Sequence, residues 1–185
     1  MDEYIDIVDE NGRFTGQTVL KSEAHLNGWF HNTIHVWLYA PNGDILLSQR
    51  SAQKIIFPLL WDVSAAGHVD SGESIANAAK RETLEELGLE LTDQELKPVG
   101  VYKHLSTYDD GRIKDYEFHY AHIAPLKVEL NNLVLQEGEV DAVKLVSHNQ
   151  FIELLEGSPD NMHFVPSNGN YYKLILEQVA KAVKN

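Results

Sequence analysis

One helix sets the terms for this chain. Residues 74–87 contain neither Gly nor Pro, begin at a serine suited to capping, and stop at Gly88, where a left-handed terminal residue belongs. On a helix that advances about 100° per residue, with Glu82 at zero, Glu85 falls near −60° and Glu86 near +40°, so three carboxylates share about 100° of arc. Ala76, Ala79, Thr83 and Leu87 form the adjacent, mostly apolar flank. The acids therefore sit at the rim of the packed face rather than opposite it. Each like-charge pair at this spacing costs a few tenths of a kcal/mol. A hard cation turns the repulsion into coordination, because Mg²⁺ and Mn²⁺ prefer carboxylate oxygens. The same cluster also reads as a solvated acidic face balanced by Lys80 and Arg81.

Charge and composition bound the remaining choices. The chain has 185 residues, enough for one core, and residues 1–185 are expected to form a single domain. The absence of cysteine excludes a disulfide scaffold, a thiolate metal site and a cysteine nucleophile. The longest nearly unbroken apolar run, Ile55 to Trp61, is far short of a spanning helix, and the acidic start Met1-Asp2-Glu3 does not resemble a signal peptide. A cytoplasmic location is expected. A formal charge of −13 repels nucleic-acid polymers and membranes, so neither is an expected partner. An anionic phosphate substrate would need a local reversal of that field, which a divalent cation supplies. The base rate allows a homodimer.

The chain reads as strands mixed with a few helices, an α/β layered arrangement. Strands are expected at Tyr4–Val8 and Phe14–Val19 around Asn11-Gly12. Thr33–Ala40 and Ile45–Arg50 read as a hairpin around Pro41-Asn42-Gly43-Asp44, and Trp61–Ala66 as a short strand. Further strands are expected at Val99–Thr107, Tyr116–Ile123 and Ala142–Ser147, and helices at Asn149–Leu155 and Tyr171–Val183.

The carboxylate helix belongs to a longer pattern. From Gly67 the sequence runs GHVDSGESIANAAKRETLEELGL, which fits Gly-x5-Glu-x7-Arg-Glu-U-x-Glu-Glu-x-Gly-U with U bulky and aliphatic. All seven fixed positions match: Gly67, Glu73, Arg81, Glu82, Glu85, Glu86 and Gly88. At about 7% usage per residue type, chance agreement is on the order of 10⁻⁸ per start point. This stretch, residues 67–89, resembles the Nudix box, with Thr83 where an aliphatic residue is usual. Thr83 is a packing position, so a small effect on stability is expected.

The resemblance implies a Nudix-type α/β/α sandwich with a central mixed sheet and the box as a loop–helix–loop. It implies a metal-dependent hydrolase cleaving a diphosphate linkage in a nucleoside-diphosphate derivative or similar small organic diphosphate. Glu82, Glu85 and Glu86 would bind Mg²⁺ or Mn²⁺, with a carbonyl from Gly67. Glu73 and Arg81 would pair to fix the loop, and Gly88 would end the helix. Glu85, Glu86 and Glu139, with Glu137 behind it, are the candidate catalytic carboxylates.

Residues 4–90 also resemble the isopentenyl-diphosphate isomerase-like branch, through YIDIVDENG, HLNGWFH and SQRSAQKIIFPLLWDVSAAGH. That resemblance implies a second metal site from His25, His31 and His68 with Asp115 and Glu117, and a diphosphate grip from Arg50 and Lys54. The branch depends on a cysteine before the box glycine, where this chain has Ala66. An isomerase would need another acid, such as Glu117 with Tyr102 or Tyr108. A nucleotide-binding regulator without catalysis is a further alternative, although such relatives typically lose box glutamates. Trp29, Phe57, Trp61 and Tyr108 could stack on a base or cover a prenyl chain. His35, His119 and His122 carry no assigned role and are expected in core or surface positions.

Overall fold

A computed structural model describes residues 2–161, 164–165 and 169–184, and for residues 158–161 the backbone alone. Among the described residues the strands are β1 (Tyr4–Val8), β2 (Phe14–Leu20), β3 (His31–Tyr39), β4 (Ile45–Arg50), β5 (Trp61–Asp62), β6 (Ala65–His68), β7 (Lys97–Tyr108), β8 (Ile113–Pro125) and β9 (Val140–Val146). The helices are α1 (Lys21–Asn27), α2 (Ile75–Leu87), α3 (His148–Asn161) and α4 (Gly169–Ala182). No helix among them is long and apolar enough to cross a membrane.

β3 is the organising strand. It pairs parallel with β8 along nine residues, His31↔Glu117 to Tyr39↔Pro125, and antiparallel with β6 from Thr33↔His68 to Val36↔Ala65. β7 pairs antiparallel with β8, so the sheet is mixed. The two faces of β3 serve different helices. Ile34, Val36 and Leu38 pack with Ala78, Ala79 and Leu87 of α2, whereas Trp37 and Tyr39 pack with Phe151 of α3 and Tyr171, Tyr172, Ile175 and Val179 of α4. A strand covered on both sides needs apolar side chains on both, which explains its near-continuous apolar run. The result is the expected layering of helix, mixed sheet and helix.

Three expectations need correction. The Pro41–Asp44 turn forms, but the hairpin closes at one pair, Tyr39↔Ile45, after which β4 turns away to β9 and β5. Ser64 fills the split: its Oγ accepts from Leu38 N at 2.8 Å and donates to Leu46 O at 2.6 Å. Ser48 Oγ in turn donates to Ser64 O at 2.5 Å. Trp61–Ala66 is consequently not one strand, because Val63-Ser64 divides it between β5 on β4 and β6 on β3. The helix expected at Asn149–Leu155 runs from His148 to Asn161. The sequence reading also lacked α1, seven residues with no side-chain cap at its start. Its position is set by Ala24, buried against Ile5 and Ile7, rather than by propensity.

Candidate metal and diphosphate site

The box helix α2 is capped as its sequence suggests. Ser74 Oγ accepts from Asn77 N at 3.2 Å, and Gly88 closes the helix in the left-handed region at φ 65°. Thr83 is fully buried yet tolerated, because its Oγ1 donates to Ala79 O at 2.7 Å.

Among the described residues β6 pairs with β3 alone, and helix side chains occupy its other edge. Ala66 N donates to Glu86 Oε2 at 3.2 Å. Arg81 Nη2 donates to His68 O at 2.9 Å. Between them, Gly67 lies under the Glu82 carboxyl: a Cβ built on Gly67 would stand 2.0 Å from Glu82 Cδ and 2.2 and 2.5 Å from its oxygens. Arg81 forks onto Glu73, with Nε to Oε1 at 3.2 Å and Nη2 to Oε2 at 2.9 Å. It also reaches Glu82 Oε1 at 2.7 Å and Glu85 Oε2 at 3.3 Å. One guanidinium thus links the loop, the edge strand and two of the three clustered acids. Burial, with Glu82 nearby, pushes the Glu86 carboxyl up to about 8. Burial pushes Glu82 up to about 7 despite Arg81. Glu85 remains on the exposed side of the helix.

Beside this cluster lies a second one. His25 of α1, His31 of β3, His68 of β6 and Glu117 of β8 each offer a ligand atom, and these atoms lie within 4.8 Å of one another. His31 Nδ1 lies 2.9 Å from the Trp29 carbonyl, and its Nε2 lies 3.4 Å from Glu117 Oε1. His25 Nε2 and His68 Nε2 are 3.1 Å apart. Asp115 stands behind His25, with Oδ1 3.0 Å from Nδ1, but the contact is misaligned and both atoms are buried without a hydrogen-bond partner. Buried His31 Nε2 is also unpartnered. Burial alone would lower His25, but Asp115 and Glu117 outweigh it and its pKa is raised. Burial holds His68 well below its usual value. Glu117 is held well below the usual carboxylate range: burial would raise it, but His119 and His31 more than compensate.

Glu82, Glu85 and Glu86 of the first cluster and His25, His68 and Glu117 of the second line one cavity of about 640 Å³, with Arg50, Lys54, Glu139, Phe57 and Tyr108. The expected diphosphate grip is engaged within the protein. Arg50 binds Asp62 at 3.2 Å and the Ile56 carbonyl through Nε and Nη2, and Lys54 pairs with Glu139. Glu137 is exposed and outside the cavity lining. Of the four singled-out aromatics, Phe57 and Tyr108 meet edge to face at 5.2 Å on the cavity wall. Trp29 packs with the N-terminal cluster, and Trp61 lies beneath Lys144 Nζ at 3.9 Å.

The sequence reading missed an imidazole column on the cavity wall. His35 and His119 stack at 4.2 Å, and His119 and His104 at 4.9 Å. His119 Nε2 contacts Glu117 Oε2 at 2.8 Å. Only the parallel β3–β8 register, together with β7, aligns these three, and no local pattern announces it. His122 faces away, with Nδ1 on the Tyr120 carbonyl.

A family described as NUDIX domain matches residues 29–167. An uncharacterized Nudix hydrolase of Clostridium acetobutylicum is 32% identical over 201 residues, covering 95% of this chain and 96% of that protein. Nudix hydrolase 3 of Arabidopsis thaliana is 32% identical over 178 residues, and the match spans 94% of this chain but 23% of that protein's length. An isopentenyl-diphosphate Delta-isomerase of Nocardia farcinica is 40% identical over 101 residues, 54% of this chain and 55% of that protein. Among solved structures, DR0079 from Deinococcus radiodurans shares the fold with a TM-score of 0.68 at 18% identity, covering 97% of this chain and 98% of that one.

Proposed function

Given that the chain belongs to the Nudix family, we propose that it is a divalent-metal-dependent hydrolase cleaving the diphosphate linkage of a small organic diphosphate, foremost a nucleoside-diphosphate derivative. The observation that carries this reading is the convergence of Glu82 and Glu86 on the edge of β6, with Glu85 beside them, at the wall of a ligand-sized cavity.

The donor sets fit divalent cations. Burial pushes the Glu82 and Glu86 carboxyls up to about 7 and about 8, so a cation bound there would displace protons and favour their ionised forms. Glu82, Glu85 and Glu86, with the Gly67 carbonyl, are an all-oxygen set suited to Mg²⁺ or Mn²⁺. His25, His31, His68 and Glu117 are a nitrogen-rich set, which suits Mn²⁺ better than Mg²⁺, and Asp115 would orient His25 from behind. A cation held there would polarise the diphosphate and lower the pKa of an attacking water.

The chain's own residues supply the rest. Arg81, gripped by Glu73, holds the glutamates at the strand edge. Lys54 can exchange Glu139 for a phosphate oxygen, and the released Glu139 then faces the cavity as a carboxylate able to take a proton from water. Arg50 adds fixed positive charge on the same wall while holding the 51–60 loop through the Ile56 carbonyl.

The imidazole cluster favours the isomerase as a second reading. Protonating an unactivated double bond and removing a proton from its opposite face needs two acid–base groups. Ala66 can be neither, and Glu117 is already engaged by His119. The intact glutamate set likewise speaks against a non-catalytic regulator. The test is a panel of nucleoside diphosphates and their sugar, dinucleotide and coenzyme derivatives, run with Mg²⁺ or Mn²⁺ beside isopentenyl diphosphate. We expect diphosphate cleavage that stops in excess chelator and returns with added cation. Metal-dependent formation of the dimethylallyl isomer above a Glu86→Gln control, without diphosphate cleavage, would overturn the assignment.

A further inference from the structure

Behind the imidazole column a buried polar chain runs from the core to the cavity. Trp37 and Tyr171 are 0% and 2% exposed, and Trp37 Nε1 donates to the Tyr171 hydroxyl at 2.6 Å. That hydroxyl lies 2.8 Å from His35 Nδ1. An indole nitrogen can only donate, so the Tyr171 oxygen is its acceptor, and the hydroxyl proton needs an acceptor of its own. Among the described residues the one within reach is His35 Nδ1. The arrangement that satisfies all three groups makes Nδ1 the acceptor and places the ring proton on Nε2. His35 Nε2 has no hydrogen-bond partner among the described residues, is absent from the buried orphaned atoms, and belongs to a ring on the cavity wall. Its neighbours across the strands are the small residues Ala66 on β6 and Ala121 on β8, while one face of the ring stacks on His119.

We infer that His35 is a substrate-selecting residue: its Nε2–H, fixed by Trp37 and Tyr171, binds an oxygen of the substrate's organic group and thereby selects hydroxylated organic diphosphates over bare hydrocarbon ones. The inference rests on the proposed function only for where the diphosphate lies, at the glutamates with Arg50 and Lys54. The organic group then extends along the wall formed by His35 and His119. A ribose or other polyol offers acceptor oxygens there. A prenyl chain displaces water from the N–H and returns nothing, and an unpaired buried donor is what a hydrogen-bonding site uses to reject an apolar analogue. Burial, His119 and His104 keep His35 neutral, so the donor is uncharged and does not simply add to the cationic grip.

Two uncleavable probes separate this inference from the hydrolase reading, because binding needs no turnover. Adenosine α,β-methylene diphosphate carries a hydroxylated group, and the methylene-bridged analogue of isopentenyl diphosphate carries a hydrocarbon. Calorimetry in Mg²⁺ is expected to give wild-type protein a preference of at least about tenfold for the first. His35→Phe should bring the ratio to within about threefold, and His35→Gln, which keeps an N–H donor, should retain most of the preference. Tyr171→Phe releases the tautomer and should fall between wild type and His35→Phe. If His35→Phe does not fold, His35→Gln against Tyr171→Phe carries the test. A preference for the hydrocarbon probe in wild-type protein, or an unchanged ratio in folded His35→Phe, or in Tyr171→Phe where His35→Phe is unfolded, would overturn the inference, even if the protein hydrolyses diphosphates. Absence of all hydrolysis with the predicted binding ratios would overturn the hydrolase reading alone.

Discussion

Gly67→Ala isolates the geometry of the carboxylate cluster from its chemistry, because it changes no titratable group. The new methyl carbon would stand 2.0 Å from Glu82 Cδ, whereas two carbons in contact stay about 3.5 Å apart. Something must therefore retreat by about 1.5 Å. Gly67 lies outside the left-handed region, so alanine fits its backbone, and the obstacle is the end of a flexible side chain. The Glu82 carboxyl swings away and gives up its 2.7 Å contact with Arg81, while Arg81 keeps both bonds to Glu73. Losing that charge-assisted bond costs about 1.5–3 kcal/mol, offset in part because a buried carboxylate moves toward water. The net change should be within about 1 kcal/mol, or roughly 2–4 °C in Tm for a chain of this size. Catalysis should suffer far more, since a misplacement of about 1 Å costs on the order of 100-fold. The assay is metal-dependent diphosphate hydrolysis with a parallel thermal melt. A variant keeping more than about a third of wild-type kcat, or melting more than about 10 °C lower, would refute the reasoning.

Glu86→Gln should lower kcat at least ~100-fold with circular dichroism unchanged, since the group acts on developing charge; more than about a tenth of wild-type activity would place the cation elsewhere. Glu73→Gln leaves the half-buried Arg81 without its forked partner and should cost about 2–4 kcal/mol in urea unfolding as well as activity; unchanged stability and activity together would remove its role in the box. For pH, Glu86 and Glu82 have folded-state pKa values raised above their unfolded values, to about 8 and about 7, so the stability they contribute is present below the unfolded pKa and lost as pH rises through the folded one. His35, His68 and His104 are lowered and act oppositely, but only below about pH 6.5. Between about pH 6.5 and 8.5 the chelated protein should therefore lose about 2–3 kcal/mol, a loss that saturating Mn²⁺ reduces; a flat or rising urea-unfolding profile in chelator would contradict it.

What the sequence disclosed and what it withheld follow a physical division. α2 was legible end to end because its cap, its terminal glycine and its carboxylate spacing are local features. The strands were mostly legible too, through β-branched runs and turn residues. Partnership was not: Pro41–Asp44 announces a turn, but only Ser64, some 20 residues on, decides that β3 and β4 separate. α1 was invisible because its stability comes from Ala24 packed on β1. His25, His31, His68 and Glu117 could be proposed from resemblance, and the fold brings a ligand atom of each within 4.8 Å of the others. The column of His35, His119 and His104 depends on strand register over three separated stretches, which one sequence does not encode in any readable spacing.

β6 has only four residues, and they answer to different masters. Ala65 packs in the core beneath α2, Ala66 gives its N–H to Glu86, Gly67 leaves room for Glu82, and His68 sends its ring to the imidazole cluster and its carbonyl to Arg81. Because neighbouring strand residues face opposite sides, shifting this strand by one position would exchange every one of these assignments at once. A one-residue insertion or deletion within 65–68 therefore cannot spare one cluster at the expense of the other. The two sites share a reading frame in space, and a lineage descending from this chain could retune either by substitution but could reposition neither by changing length.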